Sequence, residues 1–222
     1  RPKVQAARFA SAVQARLGAG QEIVISPLIR IELLTVAQGP KHYSGVIFTS
    51  ENAVAAARQA PGLPAYCVGD HTARAATARG FAALSAGGDS TDLVAMIRDR
   101  TPVGPLLHLR GEHSSGEVAE TLRQSGIAVD ELVVYRQMES DLNDTAKSLL
   151  ARGAPVIVPL FSPRSAALFA RKAHASIAPL VIIALSEAVA NLVRGRFRGD
   201  VMVCGRPDAS HMLDAIADAS AD

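Results

Sequence analysis

The sequence has no tryptophan, and phenylalanine and tyrosine bring the aromatic share to only 4% of 222 residues. That scarcity excludes a base-stacking platform for single-stranded nucleic acid. Only two cysteines occur, Cys67 and Cys204, far apart and neither in CxxC spacing, which excludes a disulfide scaffold and points to a reducing, cytoplasmic setting. Cys67 lies in an apolar run and reads as a buried, inert thiol. Charge of one sign is also lacking: the net value is +2, too small for a basic nucleic-acid face. Lysine is rare, at four (Lys3, Lys41, Lys147, Lys172), and the remaining basic residues are arginine. Arginine forks suit carboxylates and phosphates, but genome base composition is the ordinary cause of such a bias. No apolar run is long enough to span a bilayer, so no membrane partner is expected.

Catalytic signatures are missing too. There is no GxSxG elbow, no Walker loop, and no GxGxxG after a strand, which disfavours a Rossmann-type nucleotide enzyme. His108, Glu112, His113 and Glu117 cluster in sequence, but His108 falls in a strand and His113 beyond a turn. They lack the spacing of HExxH on one helix, and no metal is expected. His42, His71, His174 and His211 are scattered and read as surface residues. The start, Arg1-Pro2-Lys3-Val4, is followed by no apolar stretch and is not a signal peptide; without an initiator Met, further residues are expected upstream.

What is present is a regular alternation. Hydrophobic residues make up 49% of the chain and charged ones 20%, enough for a packed core in one large or two small domains. Short β-branched or apolar runs predict strands at 22–25, 46–48, 65–68, 81–84, 106–109, 129–135, 156–160, 180–184 and 201–203. Ala-rich stretches between them predict helices at 4–17, 52–59, 72–79, 91–98, 117–124, 142–151, 165–172, 187–193 and 209–217. Strands alternating with helices imply βα units and parallel sheets buried on both faces. Two β-rich stretches, 27–36 and 129–138, interrupt the alternation and enclose about four βα units. The expectation is a discontinuous lobe, residues 1–34 and 137–222, with a second lobe, 41–131, inserted through linkers 35–40 and 132–136.

A weak internal repeat supports this. Val46–Ala53 resembles Val158–Ser165, Cys67–Ala73 resembles Ala184–Ala190, and Val13–Gly18 resembles Leu122–Gly126, all at offsets of roughly 110 residues. Arg110-Gly111 follows an apolar run whose counterpart before Arg1-Pro2 is lacking, so a first strand is expected upstream.

The βα turns carry the candidate chemistry. Thr49-Ser50 and Ser162-Pro163 end strands and open helices, as do Gly69-Asp70-His71-Thr72, Gly88-Asp89-Ser90 and Ser186-Glu187. In an open parallel sheet such turns share the carboxyl edge, where ligands bind, and helix N-termini there favour anions. Each turn taken alone is explained by helix capping; their number is what points to an anion site. Tyr135, one of three tyrosines, follows Leu132-Val133-Val134, where a phenol could donate a proton or simply pack with its hydroxyl in water.

Taken in order, several segments resemble the uroporphyrinogen-III synthase family over nearly the whole chain, from Arg1 to about residue 217. They are Arg1-Pro2 with Gln5-Ala6, Pro27-Leu28 with Ile31-Glu32, Ile47–Val54, Val68-Gly69 with Thr72-Ala73, and Gly80-Phe81. Leu109-Arg110-Gly111, Val134-Tyr135-Arg136, Phe161-Ser162-Pro163 and Ala184-Leu185-Ser186 complete the set. The resemblance implies two flavodoxin-like, parallel-sheet α/β lobes joined by a two-stranded linker. It implies a cofactor-independent, monomeric enzyme that cyclises hydroxymethylbilane and inverts its last ring through a spiro intermediate. It implies Tyr135 as the group assisting departure of hydroxide, with the substrate's carboxylates held by Arg1, Thr49, Ser50, Asn52, Gly69, Thr72, Arg110, Gly111, Ser162 and Ser186. The turn at Ser186 departs from the family pattern, lacking the glycine and threonine that Gly69 and Thr72 keep. The competing expectation is a two-lobed module that binds an anionic metabolite and turns nothing over.

Overall fold

A computed structural model describes residues 1–18, 20–35, 42–113 and 117–221. Residues 36–40 of the expected first linker lie outside the described residues. In chain order the elements are α1 (Lys3–Leu17), β1 (Ile29–Leu33), β2 (Gly45–Phe48), α2 (Glu51–Ala56), β3 (Pro64–Cys67), α3 (Asp70–Ala78), β4 (Ala82–Ser85) and α4 (Ser90–Arg100). They continue with β5 (Leu106–Gly111), α5 (Val118–Gln124), β6 (Val129–Glu139), α6 (Asp144–Leu150), β7 (Val156–Leu160), α7 (Pro163–Lys172), β8 (Leu180–Ala184), α8 (Glu187–Ala190), β9 (Gly199–Val203) and α9 (Ala209–Ala221). The chain divides into two compact units: Arg1–Arg30 with Met138–Asp222, called unit 1 below, and Ile31–Gln137, called unit 2.

Unit 2 is organised on a sheet of order β1-β6-β5-β2-β3-β4. From β6 to β4 every neighbouring pair is parallel. Beside β6, β1 runs the other way, since Ser140 donates to the Leu28 carbonyl while Leu34 donates to that of Val134. The strand β2 is buried on both faces, as its continuous apolar run requires. Its alternate side chains feed two cores. Val46 and Phe48 pack with Val54, Ala76 and Leu107, whereas Ile47 packs with Leu93, Ile97 and Leu122.

Unit 1 has a three-stranded parallel sheet of order β7-β8-β9. One face of β8 carries Leu180 and Ile182 into a core with Leu168 and Phe169 of α7; the other carries Ile183 against Phe9 and Val13 of α1 and Met212 and Ile216 of α9. In α7 Ser162 and Ser165 form a capping box and Pro163 takes the first helical position, where its missing N–H is no loss.

Several local expectations fail; the helix expected over 52–59, for one, ends at Ala56. Residues 22–25 form no strand, because among the described residues no strand pairs with them to complete a ladder. The helix expected over 187–193 ends at Ala190 and continues as turns. The strand expected over 129–135 runs on to Glu139, drawn out by its pairing with β1. Among the described residues no helix is long and apolar enough to cross a membrane.

Candidate functional site

Because the strands from β6 to β4 run parallel in one unit and β7, β8 and β9 run parallel in the other, each unit gathers the carboxyl ends of these strands on one edge. The candidate residues fall into two sets, one per unit.

In unit 2, Thr49 and Ser50 follow β2. The Ser50 hydroxyl accepts from the Asn52 N–H at 3.2 Å, so its first duty is to cap α2. Thr49 Oγ1 lies 3.5 Å from Nε2 of His108 on the adjacent strand β5. Gly69 opens α3 in extended conformation without any side-chain cap, and the space before it is clear: a Cβ there would meet nothing within 4 Å. Free N–H groups at such a start suit a carboxylate. Thr72, in the first turn of α3, is buried.

Tyr135 and Gly111 are in direct contact. They pair across β5 and β6 at a break in register after Arg110. The phenol ring lies so close over Gly111 that a Cβ at that position would fall 2.6 Å from Cζ and 2.8 Å from the hydroxyl oxygen. Tyr135 is 6% exposed and packs with Val134, Leu109 and Phe48. Next to it, Arg136 grips Glu32 of β1 through two hydrogen bonds, of 2.9 and 3.3 Å. That fork ties β6 to β1 one residue from the tyrosine.

Arg110 is not a free cation. Its Nε lies 2.8 Å from Glu131 Oε1, and its Nη1 donates to the Gly111 carbonyl at 3.0 Å. Arg123 holds the other Glu131 oxygen at 2.9 Å. Burial alone would raise the Glu131 carboxyl, but the Arg123 hydrogen bond and the charges of Arg110 and Arg123 hold it below its usual range.

His108, weighed from the sequence only as a metal ligand, belongs to this network. It is 2% exposed, with Nδ1 3.9 Å from Glu131 Oε1 and without a hydrogen-bond partner. Burial pushes its pKa down to about 4, with Glu131 opposing and Arg110 reinforcing the shift. The imidazole is therefore neutral at physiological pH. The signal in the sequence was its alternation with Leu106 and Arg110 on one face of a strand.

A stability consequence follows. The unfolded imidazole titrates near 6.5 and the folded one near 4, so between these values only the unfolded chain binds the proton. Stability is complete above about pH 6.5 and falls, by on the order of 3 kcal/mol, as pH drops to about 4. Denaturant melts across that window should show the slope, and His108→Phe should flatten it. A slope unchanged by the substitution would assign the effect elsewhere.

In unit 1, Ser162 and Ser186 follow β7 and β8. Ser162 Oγ accepts from the Ser165 N–H at 3.2 Å, while Ser165 returns a bond to the Ser162 N–H at 3.2 Å. Ser186 opens α8 without a side-chain cap. Arg1 places its guanidinium 3.6 Å from the centre of the Phe161 ring, a cation–π contact. Cys67 and Cys204 are buried, and burial pushes the Cys67 thiol up to about 12, far from any nucleophile. Of the scattered histidines, His42, His71 and His174 are exposed, while His211 is partly buried and pairs with Asp208 at 2.8 Å.

The elements define an α/β protein with mostly parallel sheets whose carboxyl edges carry hydroxyls, uncapped helix starts and a buried tyrosine. The family model described as uroporphyrinogen-III synthase HemD matches residues 11–214. The chain therefore belongs to the uroporphyrinogen-III synthase family, and its activity is that of this synthase of haem biosynthesis. No curated protein sequence matches it. Among solved structures, uroporphyrinogen-III synthetase from Helicobacter pylori is similar at 17% identity with a TM-score of 0.65, over 90% of this chain and 96% of that one, which supports the α/β fold. A mutant uroporphyrinogen III synthase from Thermus thermophilus aligns at 15% identity with a TM-score of 0.48, over 98% of this chain and 96% of that one.

Proposed function

We propose that this chain closes hydroxymethylbilane to uroporphyrinogen III with inversion of ring D, acting as a cofactor-independent, cyclising hydro-lyase. In this reading residues 1–34 with 137–222 and residues 41–131 are two flavodoxin-like lobes, and the chain passes between them through 35–40 and 132–136. The protein works as a cytoplasmic monomer on a free small molecule.

The observation that carries the reading is Tyr135 held over Gly111 at the carboxyl end of β5, in a sheet whose carboxyl edge also carries the uncapped start of α3. The substrate is a flexible polycarboxylate. The residues proposed to hold its acetate and propionate arms are Thr49, Ser50, Asn52, Gly69, Thr72, Arg110 and Gly111, together with Arg1, Ser162 and Ser186. Backbone amides do much of this work, since the Ser50 and Ser162 hydroxyls already cap helices and Arg110 is paired with Glu131. The Tyr135 phenol gives a proton to the departing hydroxide, which leaves as water. The resulting cation is attacked by the last ring at its substituted carbon, the spiro intermediate reopens, and the macrocycle closes; the proton that the closing ring's carbon then loses returns to the phenolate, so that net one water is expelled. Folding the chain into a reactive shape and shielding the cation supply most of the rate.

The test gives the protein hydroxymethylbilane and separates the product isomers. Type III isomer above the spontaneous background is expected. Type I alone, at the spontaneous rate, would overturn the proposal, and tight binding of hydroxymethylbilane with no turnover would favour the binding module. Tyr135→Phe should lower kcat by roughly tenfold to a hundredfold while KM moves little, because positioning survives loss of the hydroxyl. An unchanged kcat would leave Tyr135 with a packing role only.

A further inference from the structure

Leu106, His108 and Arg110 alternate onto one face of β5, the face covered by α4 and α5. His108 stands level with Ile47 of β2 and with Glu131 of β6. Its surroundings on that face are apolar: Ile47, Leu106 and Val129 pack there with Leu93, Ile97 and Leu122. An imidazole in such a place, 2% exposed, costs stability unless both ring nitrogens are satisfied. One of them, Nδ1, has no hydrogen bond. A leucine would fill the same place without that cost.

The two nitrogens face different groups. Nδ1 lies 3.9 Å from Oε1 of Glu131, the oxygen that Arg110 also approaches, and Nε2 lies 3.5 Å from Oγ1 of Thr49, just past the end of β2. Glu131, Arg110 and Arg123 are the charged groups that act on the ring. An uncharged imidazole carries a single N–H. On Nδ1 that proton is attracted by the Glu131 carboxylate; on Nε2 it would leave a lone pair facing the carboxylate. The first arrangement is lower in energy, and it makes Nε2 an acceptor.

A threonine hydroxyl has one proton and two lone pairs. With the proton turned inward to Nε2, the lone pairs of half-buried Thr49 turn toward the carboxyl edge of the sheet. At 3.5 Å the two atoms stand at the outer limit of a hydrogen bond, which a small closure completes. An outward lone pair repels a carboxylate and receives an N–H. Hydroxymethylbilane, on whose assignment as substrate this role rests, carries both carboxylates and pyrrole N–H groups.

We propose that His108 is a positioning residue for Thr49: it accepts the Thr49 hydroxyl proton at Nε2 and so aims the oxygen at a pyrrole N–H of the substrate. Thr49's part in holding a carboxylate then falls to its main chain, in keeping with Ser50 and Ser162, whose hydroxyls cap helices.

The tautomer is read first, on the 222-residue protein with isotope-labelled histidine. Long-range nitrogen–proton NMR at neutral pH should find the His108 proton on Nδ1; a proton on Nε2 would overturn the proposal. Kinetics with hydroxymethylbilane follow. Thr49→Val and His108→Leu should each raise KM by about threefold to tenfold, the worth of one neutral hydrogen bond, with kcat changed by less than about twofold. The double variant should lose no more than the larger single loss, because the two residues act as one unit. Thr49→Ser keeps the hydroxyl, and His108→Gln can set its amide oxygen where Nε2 stands, so both should stay near the original KM. His108→Leu should leave the thermal midpoint unchanged or raise it, since the unbonded nitrogen is gone. An unchanged KM in Thr49→Val, losses that multiply in the double variant, or a KM in His108→Gln as high as in His108→Leu would each overturn the proposal. So would a lowered midpoint with unchanged KM in His108→Leu, which would give the ring a packing role alone. Failure of the unsubstituted protein to make type III isomer would count against the functional reading, whereas type III product with every variant unaffected would count against the His108–Thr49 pair only.

Discussion

Gly111→Ala should lower kcat by on the order of tenfold to a hundredfold, although it adds a single methyl group to a residue with no reactive atom. The added Cβ would fall 2.6 Å from the Tyr135 ring, well inside van der Waals contact. The ring cannot swing aside freely, because it is buried among Val134, Leu109 and Phe48. Backbone cannot give either: Glu112 donates to the Tyr135 carbonyl at 2.9 Å, and Arg136 is clamped to Glu32. The phenol must therefore leave its position, at a stability cost of about 1–3 kcal/mol. Turnover and thermal stability measured together separate the two effects. Adding Tyr135→Ala to Gly111→Ala should cost less stability than the two single changes summed, since the clash is gone although the ring's packing is lost, and it should not restore turnover. A Gly111→Ala protein with full turnover would show that the placement of Tyr135 is not used in the reaction.

Gly199→Ala should cost 3 kcal/mol or more, about as much as losing a large core side chain. Two physical causes act together. The residue has φ +107°, a conformation that side-chain-bearing residues rarely adopt, and its Cβ would stand 2.3 Å from the Leu180 carbonyl oxygen. The obstacle is backbone of the neighbouring strand β8, which is itself held by the Leu180 N–H bond to the Arg198 carbonyl at 2.7 Å. Relief requires prying β9 from β8. A drop in the melting midpoint of roughly 6–12 °C is expected for a chain of this size. A midpoint shift under about 2 °C would show that β9 can slide without loss.

The two glycines differ in what a sequence reader could see. The family resemblance implies Gly111, with Arg110, as a substrate contact, but nothing in Leu109-Arg110-Gly111 shows that its missing side chain makes room for a tyrosine on another strand. Gly199 carries no local signal, since Arg-Gly-Asp before a short apolar run reads as an ordinary turn. Both needs come from contacts between strands distant in sequence, and a period-two pattern carries no register.

The same division holds for the charged residues. Arg110 reads from the sequence as a free cation at a sheet edge, because nothing local pairs with it. Its partner Glu131 stands on β6, in register with His108, and only pairing of β5 with β6 brings the three together. His108 likewise looks like one histidine in a polar cluster until burial makes it neutral. Capping, in contrast, is a local affair. Ser50 and Ser162 were legible as helix starts because a hydroxyl reaches an N–H only two or three residues ahead.

The sequence by itself determined the alternation of strand and helix, the apolar faces that make the sheets parallel and buried, and the turns at the carboxyl edges. These rest on interactions within a few residues and on solvent exclusion, both written into local order. Only the tertiary structure decided which strands are neighbours, that the run at 22–25 goes without a ladder, that Glu131 takes the charge of Arg110, and that Tyr135 rests on Gly111. Those outcomes depend on hydrogen bonds and close packing between segments tens of residues apart, where one step of register exchanges every contact for another.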